Sequence, residues 1–252
     1  MRTIRATIRF AIFIIITFGS PILRFVGQPV VRLFGITPRR WREMIFKKWA
    51  QGFVRIANLK LVIQGEPPQP PFLLVSNHVS YMDIAALRSQ LECVFVAKAD
   101  IAEWFLAGSI VRAFGTIFIN RENRRDIPRA GAEVIRAIER GEGVVIFAEG
   151  TTGNGIEVLP FKSSFLEFAA AANVPVYYAS IRYQTPEDEE PASEVVCWWR
   201  MESGFGEHLF NLFKLPEFYG TLTFGAEPIQ SRDRKKLAND LREAVSEQLD
   251  VQ

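Results

Sequence analysis

The sequence is poor in the residues that metal and redox centres use. It has two cysteines, Cys93 and Cys197, and two histidines, His78 and His208. No His or Cys cluster has ligand spacing, which argues against a metalloenzyme. The two cysteines lie far apart in apolar runs, so they read as buried thiols in a reducing compartment, not as a disulfide framework. No Gly-x-Gly-x-x-Gly follows an early strand, so a dinucleotide site is unsupported. There is no internal repeat and no low-complexity segment. Acids are nearly missing from the first quarter: residues 1–65 carry twelve Lys or Arg and one acid, Glu43. The net charge of the chain is only +2, so a segment at +11 leaves about −9 for the remaining 187 residues. A basic, apolar start before a mildly acidic body suggests an anionic surface as partner.

That basic quarter also holds an uncharged stretch from Phe10 to Leu23. Fourteen helical residues reach ~21 Å, short of the ~30 Å hydrocarbon core, and Gly19-Ser20-Pro21 interrupts them. A second apolar group, Phe25 to Phe34, is spaced by Arg24 and Arg32. The pair is expected to form an amphipathic helical hairpin that dips into one leaflet. Arg2, Arg5 and Arg9 favour a cytoplasmic N-terminus. A secretory signal is the rival reading, but no clean Ala-x-Ala site follows. Trp41, Phe46 and Trp49 suit either an interface or a core.

From Leu59 onward, short apolar runs alternate with helical stretches. Residues 59–63, 72–76, 93–97, 116–119, 144–148 and 174–181 read as strands. Residues 82–90, 101–113, 125–140 and 163–172 read as the helices between them. This alternation predicts an α/β fold with a largely parallel sheet flanked by helices. The acidic run Pro186–Pro191 reads as a solvated turn. Strands are then expected at Val195–Trp199 and Thr221–Phe224, and a last helix begins near Ser231, striped by Leu237, Leu241, Val245 and Leu249. The division expected is a membrane-associated helical segment, 1–58, and an α/β domain, 59–252.

His78 stands where the strand 72–76 turns into the helix 82–90. Ser80-Tyr81-Met82-Asp83 fits a capping box, which makes Asp83 structural. Alternatively, Asp83 fixes the tautomer of His78 and His78 acts as general base. Five residues on one helix would set the two side chains ~140° apart, so they meet only if His78 precedes the helix. Ser80 as N-cap places it there, and the two readings are compatible. At a third strand end, Glu149-Gly150-Thr151-Thr152-Gly153-Asn154-Gly155 can aim backbone N–H groups at an anion or merely allow a tight loop.

The order of these corners carries a resemblance. Asn77-His78-x-x-x-x-Asp83, Gly115-x-x-Phe118-Ile119-x-Arg121, Phe147-x-Glu149-Gly150-Thr151 and Val174-Pro175-Val176 resemble the four blocks of the glycerolipid acyltransferase family, the 1-acylglycerol-3-phosphate type. The match spans roughly residues 59 to 181, and it implies His78 and Asp83 as the catalytic pair. It further implies Lys98, Arg121, Glu149, Gly150, Thr151 and Lys162 as substrate-binding residues, with no metal. The implied partners are a lysolipid acceptor and an acyl carrier protein or coenzyme A thioester, at the cytoplasmic face of the inner membrane. No further cofactor and no nucleic acid are implied. Thr152 stands where the family usually has arginine, which resembles the lyso-ornithine lipid branch and leaves the two acceptors near even. A hydrolase using the same pair, or a catalytically idle membrane scaffold, are the other readings.

Overall fold

The structure, a computed structural model, describes residues 1–103, 107–120, 123, 126–199 and 204–250. Two long helices open the chain, α1 (Arg2–Leu33) and α2 (Pro38–Ala57). Then follow β1 (Leu59–Gln64), β2 (Phe72–Ser76), α3 (Met82–Gln90), β3 (Cys93–Lys98), α4 (Ala107–Ala113) and β4 (Ile117–Ile119). The second half runs α5 (Asp126–Glu139), β5 (Gly143–Phe147), α6 (Glu167–Ala171), β6 (Val176–Gln184), α7 (Ala192–Val195), α8 (Phe205–Leu212), β7 (Phe218–Phe224) and α9 (Arg234–Asp250). The described strands form one sheet in the order β1-β7-β6-β2-β5-β3-β4, and only the β6–β7 pairing is antiparallel. The expected α/β fold with a largely parallel sheet is therefore the one observed.

Both faces of the central strands are buried, which explains why they read as unbroken apolar runs. In β2, Phe72 and Leu74 join the core under α2, α3 and α8, whereas Leu73 and Val75 join the core under α5, α6 and α9. The leucine and valine stripe of α9 closes that second face.

The hairpin expected between residues 10–23 and 25–34 does not form, because both groups lie in the single helix α1, which packs instead against α2. Helix α1 runs straight through Gly19, Ser20 and Pro21, and the chain reverses only after Leu33, with Thr37 capping α2 by accepting from the amide of Arg40 at 3.2 Å. Proline removes one amide donor, and neighbouring residues carry the helix across the gap. At 32 residues α1 is ~48 Å long. It is the one described helix long and apolar enough to cross a membrane. One flank of it is nevertheless held by the body: Phe13 packs on Phe53 with centroids 4.5 Å apart, and Trp49 donates to Thr17 at 3.0 Å. Arg9 donates to the carbonyls of Leu215 and Pro216, and Arg2 pairs with Glu189 at 3.0 Å. The acidic run is thus not merely solvated, since the Glu189 carboxylate takes up an N-terminal arginine. Helix α2 is core material, with Phe46 and Phe53 buried. Glu43, the lone acid of the first quarter, meets the fully buried Arg88 of α3 at 2.5 Å and Arg42 at 2.8 Å.

Three further expectations need correction. Val195–Trp199 is not a strand: Val196 and Cys197 donate their amides to the Ala192 carbonyl, and Trp198 donates to Val79. The apolar run buries its side chains against the α3 corner instead of joining a ladder, so tertiary packing overrides strand propensity. The stretch 163–172 opens on a 3₁₀ turn, Ser163–Leu166, and another, Ala99–Glu103, overlaps the start of the stretch 101–113. Helix α8, whose residues carried no expectation, packs against α1 and α7 and buries Leu209 and Leu212.

Candidate active site

A parallel sheet gathers strand ends on one edge. Along that edge lie, in spatial order, the ends of β2, β5, β3 and β4, bearing His78, Glu149, Lys98 and Asn120. The site is built from the first two.

The chain leaves β2 at Ser76, and Asn77 fastens the exit by pairing its amide with both the N–H and the C=O of Ile181 on β6, at 2.8 and 2.9 Å. His78 therefore precedes α3, which begins at Met82. Its Nδ1–H donates to Asp83 Oδ2 at 2.7 Å. The same oxygen accepts the amides of Val79 at 2.7 Å and Ser80 at 3.0 Å. Ser80 Oγ accepts the amide of Met82 at 3.3 Å. One carboxylate oxygen thus serves both the turn before α3 and the imidazole, while the N-cap of α3 is Tyr81, with no side-chain cap bond, and not Ser80 as expected. Phe147 stacks on the imidazole, centroids 3.9 Å apart and planes 13° from parallel. With Nδ1 committed to a carboxylate and the ring clamped, Nε2 is the nitrogen left with a lone pair for a substrate proton. The His78 side chain is 19% exposed and Asp83 is fully buried, so the pair opens to substrate on the histidine side only.

Glu149 sits behind this pair. It is 2% exposed, and its two oxygens accept the amides of His78 at 3.2 Å and Leu159 at 3.1 Å. Burial pushes its pKa up to about 8, with the nearby Asp83 charge adding to the rise and the two amides opposing it. Gly150 takes φ +76°, a conformation that favours glycine, and turns the chain back so that Gly153 donates its amide to the His78 carbonyl at 2.7 Å. The loop is therefore tied to the histidine twice. Thr151 is exposed, and Thr152 donates its hydroxyl to the Trp198 carbonyl at 2.6 Å.

The remaining expected residues are less tightly held. Lys98, at the end of β3, is 43% exposed and pairs with Asp100 at 2.5 Å. Lys162 is exposed, its backbone amide bonded to the Ala148 carbonyl at 2.8 Å. Arg121 lies outside the described residues. Among the described residues no three His, Cys, Asp or Glu side chains gather to hold a metal ion.

Two neighbours of the pair escaped the sequence reading. Tyr81, between His78 and Asp83 in the chain, hydrogen-bonds through its hydroxyl with Nδ1 of the buried His208 at 2.9 Å. It also packs edge-on against Trp198 and Phe205. Burial lowers the His208 pKa. Tyr81 falls inside the motif and could have been flagged there; Trp198 and His208 are brought in by the fold alone.

The family model described as Acyltransferase matches residues 46–182, which include His78, Asp83, Glu149 and the loop after it but not Trp198, Phe205 or His208. A 1-acyl-sn-glycerol-3-phosphate acyltransferase of Neisseria meningitidis is 32% identical over 61% of this chain and 64% of its own length. A lyso-ornithine lipid O-acyltransferase of Rhizobium meliloti is 36% identical over 54% of this chain and 46% of its own. Another, from Rhodobacter capsulatus, is 31% identical over 70% and 64%. The chain thus spans less than two thirds of the length of each of these relatives. The crystal structure of the 1-acyl-sn-glycerophosphate acyltransferase of Thermotoga maritima superposes with a TM-score of 0.70, at 20% identity, over 100% of this chain and 97% of that one.

Proposed function

This chain belongs to the Acyltransferase family, and from that premise we propose that it moves a fatty acyl group from a thioester onto the free hydroxyl of a lysolipid at a membrane surface. The observation that carries the reading is the clamped His78–Asp83 pair, with Nδ1 on the carboxylate at 2.7 Å and Nε2 free for a substrate proton.

A hydroxyl of pKa near ~16 cannot be ionised outright by an imidazole near ~6.5, so proton transfer accompanies attack. As the acceptor oxygen bonds to the thioester carbon, its proton passes to His78 Nε2. The imidazolium is held by Asp83, and the carbonyl oxygen becomes an oxyanion. Collapse breaks the carbon–sulfur bond, and the leaving thiolate takes the proton from His78. Water is the smaller rival nucleophile, so the acceptor must fill the site for transfer to outrun hydrolysis. The amides of Thr151 and Thr152, in the loop tied to His78, are suited to receive the oxyanion. The thioester is already activated, so the step needs no cofactor beyond it. Carrier protein and coenzyme A thioesters both fit this chemistry. Lys98, Arg121 and Lys162 are the cations we assign to anionic substrate groups. Thr152 brings no cation and keeps its hydroxyl on Trp198. Of the two acceptors named for the relatives, this favours the lyso-ornithine lipid.

The lipid is met through α1. Its outer face leaves Ile15 69%, Ile22 63%, Phe25 61% and Val26 70% exposed. Such a stripe beside Arg24 and Arg32 suits burial among acyl chains with the guanidinium groups at the headgroups. We assign the cytoplasmic face, where thioester donors are made.

The test is an acylation assay with vesicles, an acyl thioester, and lysophosphatidic acid or lyso-ornithine lipid as acceptor. Acylated lyso-ornithine lipid is the expected main product. His78→Ala is expected to lower turnover by ~10² to 10⁴. Free fatty acid as the sole product, or a variant above a tenth of normal turnover, would overturn the reading.

A further inference from the structure

The His78–Asp83 pair leaves one atom unexplained. Asp83 Oδ2 takes three donors, yet Oδ1 of the same fully buried carboxylate has no hydrogen-bond partner among the described residues. A buried carboxylate oxygen without a donor is costly. A second orphan lies on β6: the hydroxyl of Tyr183, in a residue only 7% exposed, is likewise buried and unpartnered. Buried phenols ordinarily find a partner.

The topology brings the two orphans to one place. Asn77 pins the exit of β2 to Ile181, and Tyr183 lies two residues further along β6, on the same face as Ile181. That face packs beneath α3, whose first turn carries Asp83. The phenol also has a slot prepared for it. Its cross-strand partner is Gly220 of β7, where a Cβ would stand 3.1 Å from the Tyr183 ring and 3.0 Å from Leu59. Glycine there leaves room for the Tyr183 ring against β7. On its outer side Tyr183, with Asn154, Gly155 and Cys197, lines an open cleft of about 820 Å³.

We propose that Tyr183 is a positioning residue of the active site, donating its hydroxyl to Asp83 Oδ1 and so fixing the carboxylate that orients His78. The two groups already interact: burial raises the Tyr183 pKa well above its ordinary value, and the charge and hydrogen-bonding reach of Asp83 raise it further. With a donor on Oδ1 the carboxylate has both oxygens engaged. It also keeps one rotamer, with Oδ2 on the histidine. The inference deepens the acyltransferase reading, since it supplies the same pair with a support on its far side.

Tyr183→Phe tests it, because the ring and the slot over Gly220 remain while the donor goes. A neutral donor on Asp83 lowers the proton affinity of the whole pair. Its removal is therefore expected to raise the His78 pKa by about one unit, followed by NMR of the imidazole protons in the full-length protein without substrate. The acid limb of kcat/KM should move up by the same amount, with kcat falling about tenfold and KM nearly unchanged. In an Asp83→Asn background the same substitution should leave the His78 titration where it is. An unmoved His78 pKa in Tyr183→Phe, or an equal shift with and without Asp83, overturns the proposal. A protein inactive on every lysolipid that still shows the Asp83-dependent shift supports the pairing and overturns the acyltransferase reading instead.

Discussion

Glu149→Gln separates a residue that holds the site together from one that touches substrate. The wild-type carboxyl group presents two acceptors to two backbone amides, those of His78 and Leu159. Glutamine presents one acceptor and one NH₂, so one amide loses its partner and faces another donor. A buried amide left unsatisfied costs ~1–3 kcal/mol. For a chain of this size that is a loss of ~2–10 °C in Tm. The loss should depend on pH. The folded-state pKa is about 8, above an ordinary value of 4.5. Between those values the native state holds a proton that the unfolded chain has released. Wild-type stability from this group is therefore full below pH 4.5 and declines as pH rises toward 8. Glutamine carries no such charge, so the gap between variant and wild type should shrink by up to ~1.4 kcal/mol per pH unit above pH 5 and close before pH 8. Thermal melts at half-unit pH steps, with acceptor KM measured alongside, check this. An unchanged Tm together with a KM raised tenfold would refute the reasoning and return Glu149 to the substrate.

Asp83→Asn keeps the size of the side chain but not its charge. Because Oδ2 accepts two backbone amides as well as His78, both stability and rate should fall, by ~1–3 kcal/mol and ~10²-fold or more. Stability loss with normal turnover would leave Asp83 a helix cap only. Replacing Ile15, Ile22 and Val26 together by glutamate puts three charges on the exposed face of α1. Vesicle co-sedimentation should drop at least tenfold while Tm stays within ~2 °C, since none of the three is buried. Deletion of the whole helix is a poorer probe, because it would uncover Phe53 and Phe213, which pack on Phe13.

The sequence by itself determined the elements that are buried on both faces and the local corner that needs no distant partner. Strands β2, β3 and β5 are unbroken apolar runs, and a run of that kind has few other places to go. His78 and Asp83 are five residues apart, so a strand exit followed by a helix start brings them together whatever the rest of the chain does. Tertiary structure decided what depends on contacts distant in sequence. Val195–Trp199 has strand propensity, yet its burial against Val79 and Thr152 leaves it outside the sheet. Arg2, Arg5 and Arg9 read only as a basic N-terminal flank, but in the fold Arg9 meets the carbonyls after α8, Arg5 the Lys214 carbonyl and Arg2 the Glu189 carboxylate. Glu149 reads as a ligand-binding acid, and only the return of the loop over His78 reveals that both its oxygens are engaged. Tyr183 stands a hundred residues from Asp83 with no motif around it. The parallel sheet sets β6 beside β2 and the glycine of β7 leaves room, so a tyrosine indistinguishable from core in the sequence comes within electrostatic reach of Asp83.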